Sequence, residues 1–122
     1  MGALAGRAIL IIEDEPVIAL DLVRAFRDAG AEVVCTDCVR GAILAERPFL
    51  SGAVMDCVPT SRDRWSIIHR LRERDVPLVF YGTVPPTTIT PDQDAPFIAK
   101  TTSPAQVVRA ISSLIERNGI GF

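Results

Sequence analysis

The sequence has no long apolar run, little cysteine and no excess of positive charge, and each absence excludes a class of protein. No stretch approaches the ~18 apolar residues of a membrane-spanning helix, and no signal-peptide pattern opens the chain. The formal charge is −2, without a basic block, which argues against a nucleic-acid partner. Three cysteines, an odd number, do not suggest a disulfide framework. We therefore expect a reduced, cytoplasmic protein with no membrane or nucleic-acid partner.

The length and composition predict a single globular domain. A chain of 122 residues is large enough to bury a sizeable core. Apolar residues make up 48% of it and charged residues 23%, which is an ordinary balance for a folded protein. No internal repeat and no linker interrupt the sequence. Residues 1–122 are therefore assigned to one domain, with its core at about residues 7–117.

Short apolar runs alternate with helical patterns along the chain. Helical spacing of apolar residues follows Pro16 as far as Gly30, recurs around 39–46 and 64–74, and returns after Pro104. Five short apolar runs predict strands. The runs are "AILII" (8–12), "AEVVCT" (31–36), "SGAVMD" (51–56), "PLVFY" (77–81) and "PFIAK" (96–100). This alternation predicts a doubly wound α/β fold, in which a parallel sheet carries helices on both faces.

Three of the predicted strands end in charged residues. Glu13 and Asp14 follow the first strand, Asp56 ends the third, and Lys100 ends the fifth. The carboxyl ends of parallel strands form the edge where ligands bind in such folds, so these side chains should converge. Converging carboxylates repel one another unless a cation lies among them, and Mg²⁺ with one or two carboxylates and several waters is suited to that. An aspartate beside Mg²⁺ and a lysine can act as a nucleophile and carry an aspartyl phosphate.

Three motifs at these strand ends carry a family resemblance. They are "IIEDEP", "AVMD" and "FIAK", and in this order they resemble the receiver domains of response regulators in bacterial two-component signalling. The resemblance implies a five-stranded sheet in the order 2-1-3-4-5. It also implies a phosphorelay function, in which a histidine kinase or histidine phosphotransfer protein donates the phosphoryl group and a downstream protein receives the signal by contact. Such a signalling domain is not an enzyme toward other substrates, since it catalyses only its own phosphorylation and dephosphorylation.

The resemblance assigns a role to each residue of the cluster. Asp56 is the expected phosphoacceptor, and Lys100 is expected to contact the phosphate. Asp14 is expected to bind Mg²⁺ directly and Glu13 to bind it through water. Asp56 and the backbone carbonyl of Val58 complete the expected metal ligands.

The residues expected to transmit the signal only partly match the family. Phe97 falls where the family has an aromatic residue that changes rotamer on activation. Gly82 falls where the family has a threonine or serine whose hydroxyl reaches the phosphoryl group, which leaves Thr83 as the alternative source of a hydroxyl. Thr101 stands where the family usually has a proline. Segment 84–95 contains three prolines, so we predict a loop or one irregular turn and a short or missing helix there.

Three other functions are compatible with parts of the sequence. The serious alternative is a pseudo-receiver, a protein-binding module of the same fold that works without phosphorylation, and Gly82 and Thr101 favour it. The retained acidic cluster opposes it, because like charges held together are costly without a cation. An aspartyl phosphatase is disfavoured because "DCVPT" has Val58 where those enzymes place a second aspartate. A flavin carrier is disfavoured because "EDEP" repels a phosphate.

Overall fold

The computed structural model describes residues 2–37, 40, 44–56, 62–82 and 96–120. Strands and helices alternate along these residues, as the sequence predicts. In chain order they are β1 (Ala8–Ile12), α1 (Pro16–Asp28), β2 (Glu32–Thr36), β3 (Leu50–Asp56), α2 (Arg62–Glu73), β4 (Leu78–Gly82), β5 (Phe97–Ala99) and α3 (Pro104–Ile120).

The five strands form one parallel sheet in the order β2-β1-β3-β4-β5. This confirms the predicted doubly wound fold and its strand order. The central strands β1, β3 and β4 are almost entirely buried, which explains why their sequences are apolar on both faces. The edge strand β5 has only three residues, so Lys100 lies just beyond it rather than within the ladder.

Alternation along the strands divides the core between the two faces of the sheet. Leu10 and Ile12 point to one face, where they pack with Ile67 and Leu71 of α2. The intervening residues of β1 point to the opposite face, where α1 and α3 pack. The buried side chains of that second face include Ile9, Ile11, Leu22, Phe26, Val54, Val79, Tyr81, Val107 and Ile111. Helices therefore pack on both faces of the sheet.

Helix α1 ends at Asp28, two residues before the glycine at which the sequence predicts its end. Gly30 has a φ of 94°, a left-handed conformation that favours glycine. The amide of Gly30 donates to the carbonyl of Arg27 at 2.9 Å, and the amide of Ala31 donates to the carbonyl of Phe26 at 3.0 Å. This pattern caps the last turn and directs the chain into β2.

Two predicted segments fall largely or wholly outside the described residues. The helix predicted at 39–46 is represented by residue 40 and residues 44–46 alone, and the loop predicted at 84–95 is not represented. Both stay predictions. Among the residues that are described, no helix is long and apolar enough to cross a membrane.

Candidate functional site

The site lies at the carboxyl edge of the sheet, where three strand ends bring charged residues together. Glu13 directly follows β1, Asp56 is the last residue of β3, and Lys100 directly follows β5. Strand β4 lies between β3 and β5, and the amide of Lys100 donates to the carbonyl of Gly82 in β4 at 2.9 Å. The long side chain of Lys100 then spans the end of β4 toward the two carboxylates.

Lys100 forms ion pairs with both carboxylates. Its Nζ lies 3.2 Å from Glu13 Oε1 and 3.2 Å from Asp56 Oδ1. The side chains are only 2% exposed for Glu13, 10% for Asp56 and 13% for Lys100, so solvent screens these contacts weakly. One buried cation therefore serves two buried carboxylates, and the cluster retains negative charge when both are ionised.

Glu13 is the most constrained member of the cluster. Its Oε2 accepts a hydrogen bond from the amide of Glu15 at 3.1 Å and one from Lys100 Nζ at 3.4 Å. Its Oε1 is buried and has no hydrogen-bond partner among the described atoms. Burial raises the pKa of Glu13, and the nearby charge of Asp56 adds to that rise. Further positive charge beside this carboxylate would therefore favour its ionised form.

The pKa of Lys100 reflects the same arrangement. Desolvation lowers the pKa of a buried ammonium, but the hydrogen bonds to Glu13 and Asp56 outweigh it and raise the pKa of Lys100 overall. The lysine is therefore a permanent cation. It is fixed at a position from which it can reach a group attached to Asp56.

The donor chemistry of the site fits Mg²⁺. Carboxylate oxygens are its preferred protein ligands, and Oε1 of Glu13, which forms an ion pair with Lys100 but accepts no hydrogen bond among the described atoms, offers one beside Asp56. In the described part of the chain, no group of three acidic, histidine or cysteine side chains is arranged to hold a metal. Glu13, Asp14 and Asp56 therefore do not form a closed cage. Magnesium does not need one, because it keeps several waters and binds through one or two carboxylates.

The other predicted site residues occupy varied positions. Asp14 is exposed beside the cluster, and Gly82 is buried at the end of β4. Phe97 is the first residue of β5, half-buried against the core on the α2 face. Val58 and Thr83 lie outside the described residues, so their predicted roles as a metal ligand and a source of hydroxyl stay predictions.

Two contacts at the site were not predicted from the sequence. Glu15 Oε2 lies 3.9 Å from Lys100 Nζ, which adds a third, exposed carboxylate to the surroundings of the lysine. Tyr81 donates its hydroxyl to the carbonyls of Thr102, at 2.8 Å, and Lys100, at 3.3 Å. The signal for Tyr81 was a hydroxyl-bearing side chain at the end of an otherwise apolar strand, because such a group needs a partner when it is buried.

Replacing Lys100 with methionine should destabilise the domain by about 3 kcal/mol, because it leaves two buried carboxylates without their shared cation. Urea unfolding at pH 7 without Mg²⁺ measures the loss. Arg70→Met is the matched control, since Arg70 pairs with Glu46 on the surface, where both side chains are about half exposed. That control should lower the free energy of unfolding by less than about 1 kcal/mol. Equal losses in the two variants would contradict a buried, energetically coupled cluster.

No family model matches the chain, but individual proteins do. The chain is 32% identical over 114 residues to the phyllosphere-induced regulator PhyR of Methylorubrum extorquens. The aligned region covers 88% of this chain and 43% of that protein. The chain thus spans less than half the length of this curated relative.

The fold is shared with solved receiver domains. A response regulator receiver protein from Sinorhizobium medicae superposes with a TM-score of 0.79 at 22% identity, covering 90% of this chain and 94% of that one. The receiver domain of a sensor histidine kinase from Pseudomonas aeruginosa superposes with a TM-score of 0.72 at 25% identity, covering 92% of this chain and 99% of that one. That domain was solved with a magnesium ion coordinated in its active-site cleft. These comparisons confirm the resemblance drawn from the sequence.

Proposed function

We propose that this response-regulator receiver domain accepts a phosphoryl group on Asp56 and passes the signal on by protein contact. The observation that carries the proposal is the position of Lys100, whose Nζ is 3.2 Å from Asp56 and 3.2 Å from Glu13. A lysine held at an aspartate in a cleft is suited to bind phosphate oxygens once the aspartate is modified. The likeness of the chain to receiver domains supports the same function.

The chemistry requires a nucleophile and neutralisation of charge. A carboxylate oxygen of Asp56 attacks the phosphorus of a phosphohistidine on the donor protein. The phosphorus–nitrogen bond breaks, and the electron pair stays on the imidazole nitrogen. Lys100 transfers its contact from the carboxylate to the phosphoryl oxygens and offsets their charge. Glu13 keeps the ammonium in place, because it accepts from Lys100 independently of Asp56. Glu13, Asp14 and Asp56 are the residues that would hold Mg²⁺, and the ion would supply further neutralisation of the charge on the transferring group.

The donor is proposed to be a histidine kinase or a histidine phosphotransfer protein that docks on α1. This helix begins at Pro16, directly after Glu15, whose Oε2 lies 3.9 Å from Lys100 Nζ, so the start of α1 lies near the lysine that pairs with Asp56. Val17 is 71% exposed and Leu20 is 48% exposed, and they lie three residues apart on the helix surface. An apolar helix surface beside the phosphoacceptor suits a protein that must present its phosphohistidine there.

Intact-mass measurement after incubation with a small acyl phosphate and Mg²⁺ tests the function. We expect the addition of one phosphoryl group, removed by hydroxylamine, because acyl phosphates react with that nucleophile. No added mass under conditions that phosphorylate a known receiver would overturn the proposal. That result would favour the pseudo-receiver, a module that binds its partner without phosphate.

Magnesium should bind weakly at Glu13, Asp14 and Asp56, and Asp14→Asn should weaken binding by about tenfold because it removes an acidic ligand. Amide shifts of the residues after β1 and β3, followed by NMR during titration with MgCl₂, report the affinity. Asp28→Asn is the matched control, an exposed aspartate at the opposite end of α1. Equal weakening in both variants would mean that Mg²⁺ responds to overall charge rather than to a site.

A further inference from the structure

We propose that Tyr81 is a positioning residue for Lys100, holding the turn from which the lysine reaches Asp56. This inference deepens the proposed function and rests on it in part. It concerns the backbone of residues 100–102, which sets where the lysine side chain starts. Neither the motifs of the sequence nor the comparisons assign a role to this tyrosine.

Tyr81 is placed between the phosphoacceptor and the turn. It pairs in register with Asp56 on the neighbouring strand β3. Its side chain is buried with the core on the α1 and α3 face. The hydroxyl reaches over the end of β5 and donates to the carbonyl of Thr102 at 2.8 Å and, at 3.3 Å, to that of Lys100. One phenol therefore ties together both ends of the turn.

The turn has few other restraints among the described contacts. The amide of Lys100 donates to Gly82, and the amide of Thr102 donates to the carbonyl of Ala99 at 2.8 Å. Lys100 lies outside the short strand β5, so no further ladder contact fixes its peptide plane. A lysine side chain has four rotatable bonds, and a small rotation of its backbone displaces the distant Nζ. Fixing the carbonyls of residues 100 and 102 therefore limits where the ammonium can go.

Core packing alone does not explain the hydroxyl of Tyr81. The strand β4 is otherwise apolar, and a buried hydroxyl is costly unless it forms a hydrogen bond. Phenylalanine would fill the same space without that requirement. Burial raises the pKa of Tyr81, so the phenol stays protonated and remains a donor at neutral pH. The hydroxyl therefore serves the turn rather than the packing of the core.

Tyr81→Phe, which removes only this hydroxyl, is the test in the full chain. We expect hydrogen exchange of the Lys100 and Thr102 amides to rise by about fivefold, the effect of one lost hydrogen bond. Affinity for beryllofluoride, a phosphoryl mimic, should fall by a similar factor while Mg²⁺ affinity stays unchanged. A merely structural role would not separate these two ligands. Ser51→Ala is the matched control, because it removes a hydroxyl that accepts from the Ala8 amide at the opposite end of β3.

The exchange and binding measurements have separate consequences. Unchanged exchange at Lys100 and Thr102 in Tyr81→Phe would overturn the inference. An equal rise at the core amides of Ile11 and Val54 would also overturn it, because that would indicate loss of global stability. An equal fall in Mg²⁺ and beryllofluoride affinity would likewise reject a role directed at Lys100. If the wild-type protein binds no beryllofluoride, the proposed phosphorylation fails, and the exchange measurement still decides the role of Tyr81.

Discussion

Replacement of Asp56 with asparagine is expected to abolish phosphorylation of the domain. The amide side chain has nearly the same size but lacks the anionic oxygen that attacks phosphorus. The fold should tolerate the change. One of the two buried carboxylates paired with Lys100 disappears, and Glu13 remains as its counter-ion, with Oε1 3.2 Å from the lysine Nζ. The loss of labelling should therefore be chemical and not a consequence of unfolding.

Intact mass after treatment with a small acyl phosphate and Mg²⁺ measures the loss, with amide NMR spectra as the check on folding. Asp28→Asn is the matched control, because it makes the same change at an exposed position at the far end of α1. That control should be labelled to the wild-type extent. Full labelling of the Asp56 variant would assign the phosphoryl group to another residue, and the site described here would then not be the acceptor.

The positions of the charged strand ends could be predicted because they follow from the fold. Apolar runs separated by amphipathic helices require parallel strands, and the carboxyl ends of parallel strands share one edge. Glu13, Asp56 and Lys100 were therefore expected to meet, and the structure brings them into contact. Strand ends were predicted less well. The run predicted at 96–100 includes Lys100, whereas β5 ends one residue earlier.

The partners of each side chain could not be predicted, because they depend on distances that only the packed structure fixes. Asp14 and Glu13 are adjacent in sequence, yet Asp14 is exposed and Glu13 is buried against Lys100. The geometry at the start of α1 also brings Glu15 toward the lysine. The contact of Tyr81 with the turn at 100–102 joins residues about 20 positions apart, and no periodicity in the sequence signals it.

Gly82→Thr should strengthen the conformational response to phosphorylation by at least about tenfold. A hydrogen bond from a hydroxyl to a charged phosphoryl group contributes roughly 1.5–3 kcal/mol, and ~1.4 kcal/mol is a factor of ten in an equilibrium constant. Gly82 lies one residue beyond the partner of Asp56 on the adjacent strand, so a side chain there would be near a group attached to Asp56. If the bond forms only in the active state, it shifts the balance toward that state.

The backbone at position 82 belongs to an extended strand. Gly82 is the last residue of the extended strand β4 and pairs with Ala99, and the described glycines with positive φ are Gly6 and Gly30. Threonine and valine both favour an extended backbone, so the main chain at this position suits either substitution. Gly82→Val is the matched control, because it has the same branched shape without the hydroxyl.

Amide shifts around Phe97, with and without beryllofluoride and Mg²⁺, measure the response in the three proteins. We expect a partial shift in the wild type and in Gly82→Val, and a nearly complete shift in Gly82→Thr. A complete shift already in the wild type would mean that another hydroxyl, that of Thr83, reaches the phosphoryl group. Equal gains in both variants would mean that a stiffer backbone at position 82, and not the hydroxyl, carries the signal, because valine and threonine restrict the chain alike.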